Sequence, residues 1–274
     1  MCIRDRVALT PERTWSLILA FEHITRHPVD PDTMQRLLGH AMVLCTICRS
    51  GMSCFRRLYD FVQTGGPPRW LSEVERRECL NFIGIVPLLV AKLRRTWSET
   101  VFATDASPDG YGICERPLGL SSVRQIGGWN ERWRFKQLPP EEWAPRTRAL
   151  HRDPLVDHVT VTGVSLEEDI FNRYQRNEAF PEVDPEVMEP GDWKTVLMGR
   201  WGNTSEHITI KEGRALVLLY RRLCRAGHNR AKRHLVFVDN LSLAFAVSKG
   251  RASSYALLRA VSYTHLTLPT KLEV

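Results

Sequence analysis

Long hydrophobic runs are absent from this chain of 274 residues: the longest, at 82–91, contains Pro87 and falls short of the roughly 20 apolar residues that span a bilayer. No signal peptide opens the sequence. Cysteines are few and odd in number. The seven are scattered over more than 200 residues, which argues against a disulfide framework and for a reducing compartment. Cys45-Thr46-Ile47-Cys48 has the spacing of half a zinc site, but no second Cys-x-x-Cys or His pair follows, and its helical pattern reads as packing. The expectation is an intracellular protein, cytoplasmic or nuclear, not secreted and with no membrane partner.

Acid is the scarcer charge: 31 Asp and Glu against 38 Lys and Arg give a net charge of +7 and a pI near 9.2. Such a balance suggests a polyanionic partner. Its distribution says more. Residues 152–195 carry 11 acids against 4 Lys or Arg, whereas residues 199–233 carry 9 Lys or Arg against 2 acids, so the second stretch is the one to face phosphates.

In chain order, residues 10–97 read as helical. Asp32 and Gln35 form a capping-box pattern, after which Met34, Leu38, Met42, Cys45 and Cys48 keep a helical period until Gly51. A second helix is predicted over 53–62, before Gly65-Gly66-Pro67-Pro68, and a third from Ser72, with Glu75 three residues on, towards Arg95 with a kink at Pro87. At Thr100 the period shortens. A strand at 101–106, the turn Pro108-Asp109-Gly110 and a strand at 111–114 predict a hairpin, with a third strand at 133–138. Residues 139–198 hold seven of the sixteen prolines and read as an inserted excursion or linker. Beyond them, Thr209 and Glu212 fit a capping box, and Glu212, Leu216, Leu219 and Leu223 fall on one helical stripe. The unbroken apolar run 235–238 predicts a strand buried on both faces. Asp239-Asn240 ends it, a helix follows over 241–249, and another is predicted near Ala252. Both ends, 1–6 and 261–274, resemble translated sequencing adapters and are expected to be non-native.

Three acids stand where chemistry is commonly placed. Asp105 ends a hydrophobic strand just before a turn, Glu212 lies on the apolar stripe of its helix, and Asp239 ends the 235–238 strand. Each has a plain structural explanation: Asp105 as a turn cap, Glu212 as the third member of its capping box, Asp239 as a helix N-cap. Jointly they mean more. If the two strands are parallel neighbours with the helix as crossover, the aspartates sit side by side beneath the glutamate. Three carboxylates roughly 4 Å apart repel by about 4 kcal/mol per pair at an effective dielectric of about 20, which demands protonation or a cation. All-oxygen ligands favour Mg²⁺ or Mn²⁺, and two such ions roughly 4 Å apart support phosphodiester cleavage.

The residues also match a family. Thr104-Asp105-Ala106-Ser107 with Gly110-Tyr111-Gly112, then Ile210-Lys211-Glu212-Gly213-Arg214-Ala215-Leu216, then Val238-Asp239-Asn240, resemble the ribonuclease H domain attached to retroelement reverse transcriptases. Leu37-Leu38-Gly39-His40 and Phe55-Arg56-Arg57-Leu58-Tyr59 resemble the helical thumb and connection that precede it. The resemblance implies an α/β fold, a ribonuclease H-like mixed sheet with flanking helices preceded by a small helical segment. Residues 7–97 would be thumb- or connection-like, and 98–261 ribonuclease H-like with a long insertion at about 139–198. It further implies a hydrolase that uses two Mg²⁺ ions, with Mn²⁺ as a substitute, to cleave the RNA strand of RNA–DNA hybrids. The palm and fingers of the same polyprotein would be further partners.

By that resemblance Asp105, Glu212 and Asp239 are the first three members of an Asp-Glu-Asp-Asp metal-binding set, the fourth being expected beyond residue 261. Arg214, Arg221, Arg222, Arg225, Arg230, Lys232 and Arg233 are expected to meet the hybrid backbone. No Tyr-x-Asp-Asp polymerase motif is present, and Glu212 precedes Asp239, whereas transposase and integrase cores place the glutamate last. The alternative expectation is a catalytically inactive ribonuclease H-like domain that only binds nucleic acid or packs as a connection.

Overall fold

A computed structural model describes residues 6–142, 174–202, 205–229, 232–250, 252, 257–258 and 261. The fold is mixed α/β, and the chain divides into two compact units between Arg95 and Thr96. Both proposed non-native ends, the predicted helix near Ala252 and most of the 139–198 segment fall largely outside the described residues. Among the described residues, no helix is long and apolar enough to cross a membrane.

The first unit is four helices, with a two-residue ladder joining β1 (Arg6–Val7) to β2 (Ala91–Lys92). Helix α1 (Pro11–Arg26) opens on Thr10, whose hydroxyl accepts from the Arg13 N–H. Helix α2 (Pro31–Ile47) is capped by Asp30, which accepts from the Thr33 N–H at 2.8 Å. The cap therefore lies two residues before the expected Asp32, because Pro31 already occupies the first helical position. Helix α3 (Arg56–Thr64) ends at Gly65 and Gly66, both at positive φ. Helix α4 (Glu73–Ile85) starts with the expected Ser72/Glu75 capping box. Pro87 ends this helix instead of kinking it: a 3₁₀ turn at Val86–Leu88 follows, then β2. Phe21, Phe55 and Phe82 stack at the centre, with Cys45, Cys54 and Cys79 buried around them. Burial pushes the Cys45 thiol up to about 12, so this half of the Cys-x-x-Cys pair is core, as its helical setting implies.

The second unit begins with β3 (Thr96–Trp97) and is built on a four-stranded sheet. Strands β4 (Thr100–Ala106) and β5 (Gly110–Pro117) form the predicted hairpin. Helix α5 (Leu120–Ile126) follows. The predicted third strand at 133–138 does form, as β6 (Phe135–Gln137), but it pairs with β7 (Tyr174–Arg176) in a separate ladder. The third strand of the main sheet is β8 (Lys194–Arg200), inside the segment read as an excursion; its Thr195-Val196-Leu197-Met198 run pairs antiparallel with β5. Helix α6 (Ile208–Arg225) then crosses back over the sheet, β9 (Lys232–Arg233) pairs with β3, and β10 (Val236–Val238) joins β4 in parallel. Helix α7 (Leu241–Lys249) follows, at the bounds predicted.

The main sheet reads β10-β4-β5-β8, so α6 connects its two opposite edges. Alternation sorts the residues between two faces. Phe102, Ile113 and Val236 pack with Leu216, Leu219 and Leu223 of α6 and Leu243 of α7. Val101 and Leu235 turn the other way, onto Val123 and Ile126 of α5 with Trp97, Trp193 and Phe237. Burying both faces explains the unbroken apolar run of β10.

Candidate metal centre

The site lies where β4 and β10 end. The pairs Val236↔Phe102, Phe237↔Ala103 and Val238↔Thr104 are in parallel register, so the next residues along, Asp239 just past the end of β10 and Asp105 one residue from the end of β4, come level with each other. Both carboxylates are exposed, whereas Glu212, on the sheet-facing side of α6, is only 8 % exposed.

The plain explanations for each acid fail here. The hairpin turn is held by Ser107, whose hydroxyl accepts from the N–H groups of Asp109 (3.3 Å) and Gly110 (3.0 Å), so Asp105 is not its cap. Helix α6 starts two residues earlier than a Thr209/Glu212 box requires; its N-cap is His207, whose ring accepts from the Thr209 N–H. Helix α7 is capped by Asn240, which accepts from the Leu243 N–H at 2.9 Å, and not by Asp239. None of the three acids is accounted for by local structure.

Burial, and then the negative charges of Asp239 and Asp105, push the Glu212 carboxyl from its ordinary 4.5 up to about 7, against a hydrogen bond from Asn240 that favours its charge. Glu212 Oε2 is buried without a hydrogen-bond partner among the described residues. An orphaned carboxylate oxygen beside two further carboxylates is a donor set that suits a hard divalent cation. The three are nevertheless not drawn together: among the described residues, no three His, Cys, Asp or Glu side chains converge closely enough to hold a metal ion. The alternation of β4 gives the reason. Asp105 shares a face with Val101 and Ala103, away from α6, so it meets Glu212 around the strand end and not on one face.

Lys211 and Asn240, which the sequence does not single out, hold this corner. Lys211 is 1 % exposed, and its Nζ donates to the Pro108 carbonyl at 2.6 Å, tying the first turn of α6 to the hairpin that follows Asp105. Asn240 donates to Thr209 Oγ1 at 3.3 Å as well as meeting Glu212, so β10 and α6 share one polar contact. The only sequence signal for either was adjacency, Lys211 to Glu212 and Asn240 to Asp239. Trp201 adds a third tie: its indole N–H donates to the Ser107 carbonyl at 3.2 Å while its ring packs on Tyr111.

The expected phosphate-facing residues divide. Arg222 and Arg225 are exposed in the last turn of α6, as is Arg221 on the same helix. Arg214 is exposed but committed to Glu206 at 2.5 Å. Lys232 and Arg233 are half-buried in β9, with the Arg233 guanidinium over the Trp97 ring. Arg230 lies outside the described residues.

No family model and no curated protein matches the chain. Among solved structures, the foamy viral protease-reverse transcriptase in complex with RNA/DNA hybrid is similar at 11 % identity and a TM-score of 0.23. The match covers 97 % of this chain and 47 % of that one, so this chain spans about half the other's length. At that score the likeness carries no argument about fold or chemistry.

Proposed function

We propose that the second unit is a divalent-metal-dependent ribonuclease H-type nuclease domain of a retroelement reverse transcriptase, acting on the RNA strand of RNA–DNA hybrids. One observation carries the reading: a buried glutamate with a free carboxylate oxygen is held beside two exposed aspartates at the ends of adjacent parallel strands. Asp105 and Asp239 would bind Mg²⁺ or Mn²⁺ from the exposed side, and Glu212 would complete the set. When bound, the ions supply an activated water and stabilise the leaving oxygen. Glu212 would bind metal and help position the attacking water, with Asn240 bonded to its carboxyl and Lys211 tying its helix turn to the hairpin. Arg222 and Arg225, with Arg221, are the cations best placed for hybrid phosphates.

The test is cleavage of a labelled hybrid in Mg²⁺ by the chain extended past residue 261, where a fourth acid is expected. Asp105→Asn should cost more than the roughly 10–100-fold typical of losing a metal's outer-shell partner. Undiminished Mg²⁺-dependent cleavage would remove the site. A second reading, a domain that binds hybrid without cleaving it, is favoured by the failure of the three acids to converge among the described residues. Hybrid binding with no cleavage even at high Mn²⁺ would select it.

A further inference from the structure

The sheet face turned away from α6 is covered at one end only. Val101 and Leu235 lie under α5 and its neighbours, but among the described residues nothing is packed on the face at the end where Asp105 emerges, and Asp105, Met198 and Arg200 are exposed there. Register fixes what lies beside that acid. Asp105 is opposite Gly112, and Gly112 is opposite Met198, so the three form one row across β4, β5 and β8. Directly opposed residues of antiparallel strands share a face. The neighbouring row, Thr104, Ile113 and Leu197, faces α6, which puts the Asp105 row on the opposite, open side.

Each member of the row fits a surface that receives something. At Gly112 no described atom lies within 4 Å of where a Cβ would sit, so the glycine leaves a shallow gap over the sheet next to the carboxylate. Met198 is 76 % exposed, an unusual state for a large apolar side chain in a strand. Two residues further along β8, on the same face, Arg200 is exposed and opposite Gly110. Arg200 makes no ion pair among the described residues, unlike Arg116 of the same sheet, which is bound to Asp192 at 2.5 Å. Two strand spacings, about 10 Å, separate the acid from the edge strand. A cation-binding acid at one side, a gap without side chain in the middle, and a methionine with an unpaired guanidinium at the other side form a short track.

We propose that this track carries the substrate strand: the nucleic-acid backbone leaves the carboxylates, crosses the sheet over Gly112, lies against Met198 and places a phosphate on Arg200. The occupant is a polyanion because Arg200, exposed and without an ion pair among the described residues, presents a guanidinium at the end of the track, and a guanidinium matches phosphate geometry. Arg200 is then a positioning residue, not a catalytic one. The inference rests on the nuclease reading above, which supplies the RNA–DNA hybrid as its ligand.

The test uses the full chain and an RNA–DNA hybrid in EDTA, so that binding is read without cleavage. Mild peroxide oxidation followed by mass spectrometry should show Met198 protected severalfold by saturating hybrid, with Met188, 48 % exposed and not a member of the Asp105–Gly112–Met198 row, oxidised at an unchanged rate. Arg200→Gln should weaken binding and reduce the slope of log affinity against log salt by about 1, and Arg200→Lys should restore the slope. Gly112→Ala, whose Cβ has no described atom within 4 Å, should lower affinity severalfold with an unchanged melting temperature. If hybrid binds but Met198 oxidises at its free rate and the Arg200→Gln slope is unchanged, the track is wrong while the nuclease reading stands. If hybrid does not bind at any salt, both fall. Protection of Met198 that grows with protein concentration in the absence of hybrid would assign the face to a second copy of the chain and overturn the proposal.

Discussion

Each unit buries one glutamate to almost the same degree, and the two behave oppositely. Glu75, in the helical unit, is 7 % exposed; Glu212, in the sheet unit, is 8 % exposed. Burial pushes Glu75 up, but Arg69 donates to it at 2.7 and 3.0 Å and Ser72 at 2.7 and 2.8 Å, and these bonds hold the carboxyl below its usual range. Glu212 has one weak ally in Asn240, two negative neighbours and an orphaned oxygen, and its carboxyl rises to about 7. Equal burial therefore says little about role. A buried acid whose lone pairs are all taken closes a capping box; one whose oxygen is left open, beside like charge, is incomplete without a proton or a cation.

The comparison is most easily broken in the helical unit. Glu75→Ala removes a bidentate guanidinium contact and the side-chain half of a capping box, and should lower the unit's stability by ~2–3 kcal/mol, read by chemical denaturation. A change under about 0.5 kcal/mol would mean that the bonds to Glu75 are incidental. In the sheet unit the expected sign is reversed. Between the ordinary value of 4.5 and about 7, the folded protein keeps a proton on Glu212 that the unfolded chain releases. Stability in metal-free buffer should accordingly fall as pH rises through that window and level off above it. Glu212→Gln should flatten this dependence and be at least as stable as the parent at pH above 7. A parent-minus-variant difference that does not vary with pH would show that the carboxyl is not raised. The smallest effect concerns surface charge. Arg222→Gln should weaken hybrid binding uniformly and reduce the salt slope by about 1, whereas Arg214→Gln should change it less, since Arg214 already serves Glu206.

Much of the frame is legible along the chain. The hairpin at Asp105, the strand before Asp239, the inward stripe of α6 and the capping box at Ser72 each depend on residues within a few positions of one another, so local pattern suffices. The errors share a different cause. The strand at Phe135–Gln137 and the one at Lys194–Arg200 have similar local signals, and only the partner decides which joins the main sheet; β5 lies some 80 residues from β8 in sequence, as the Cys114–Thr195 contact spans 81. Asp32 and Thr209 looked like helix caps because capping patterns recur by chance, and the first residue able to satisfy the end, Asp30 in one case and His207 in the other, took the role.

For the site itself, the sequence determined the three acids, their order, and the apolar strands and stripe that carry them, because those follow from residue type and period. Whether the acids meet was decided by tertiary structure. Parallel pairing of β10 with β4 set Asp239 beside Asp105, and the crossing of α6 brought Glu212 into their field, since strand partners are chosen by non-local burial that no short stretch encodes. The same pairing turned Asp105 to the face opposite α6. The three charges therefore sense one another without closing, and an open row of Asp105, Gly112 and Met198 was left on the far side of the sheet.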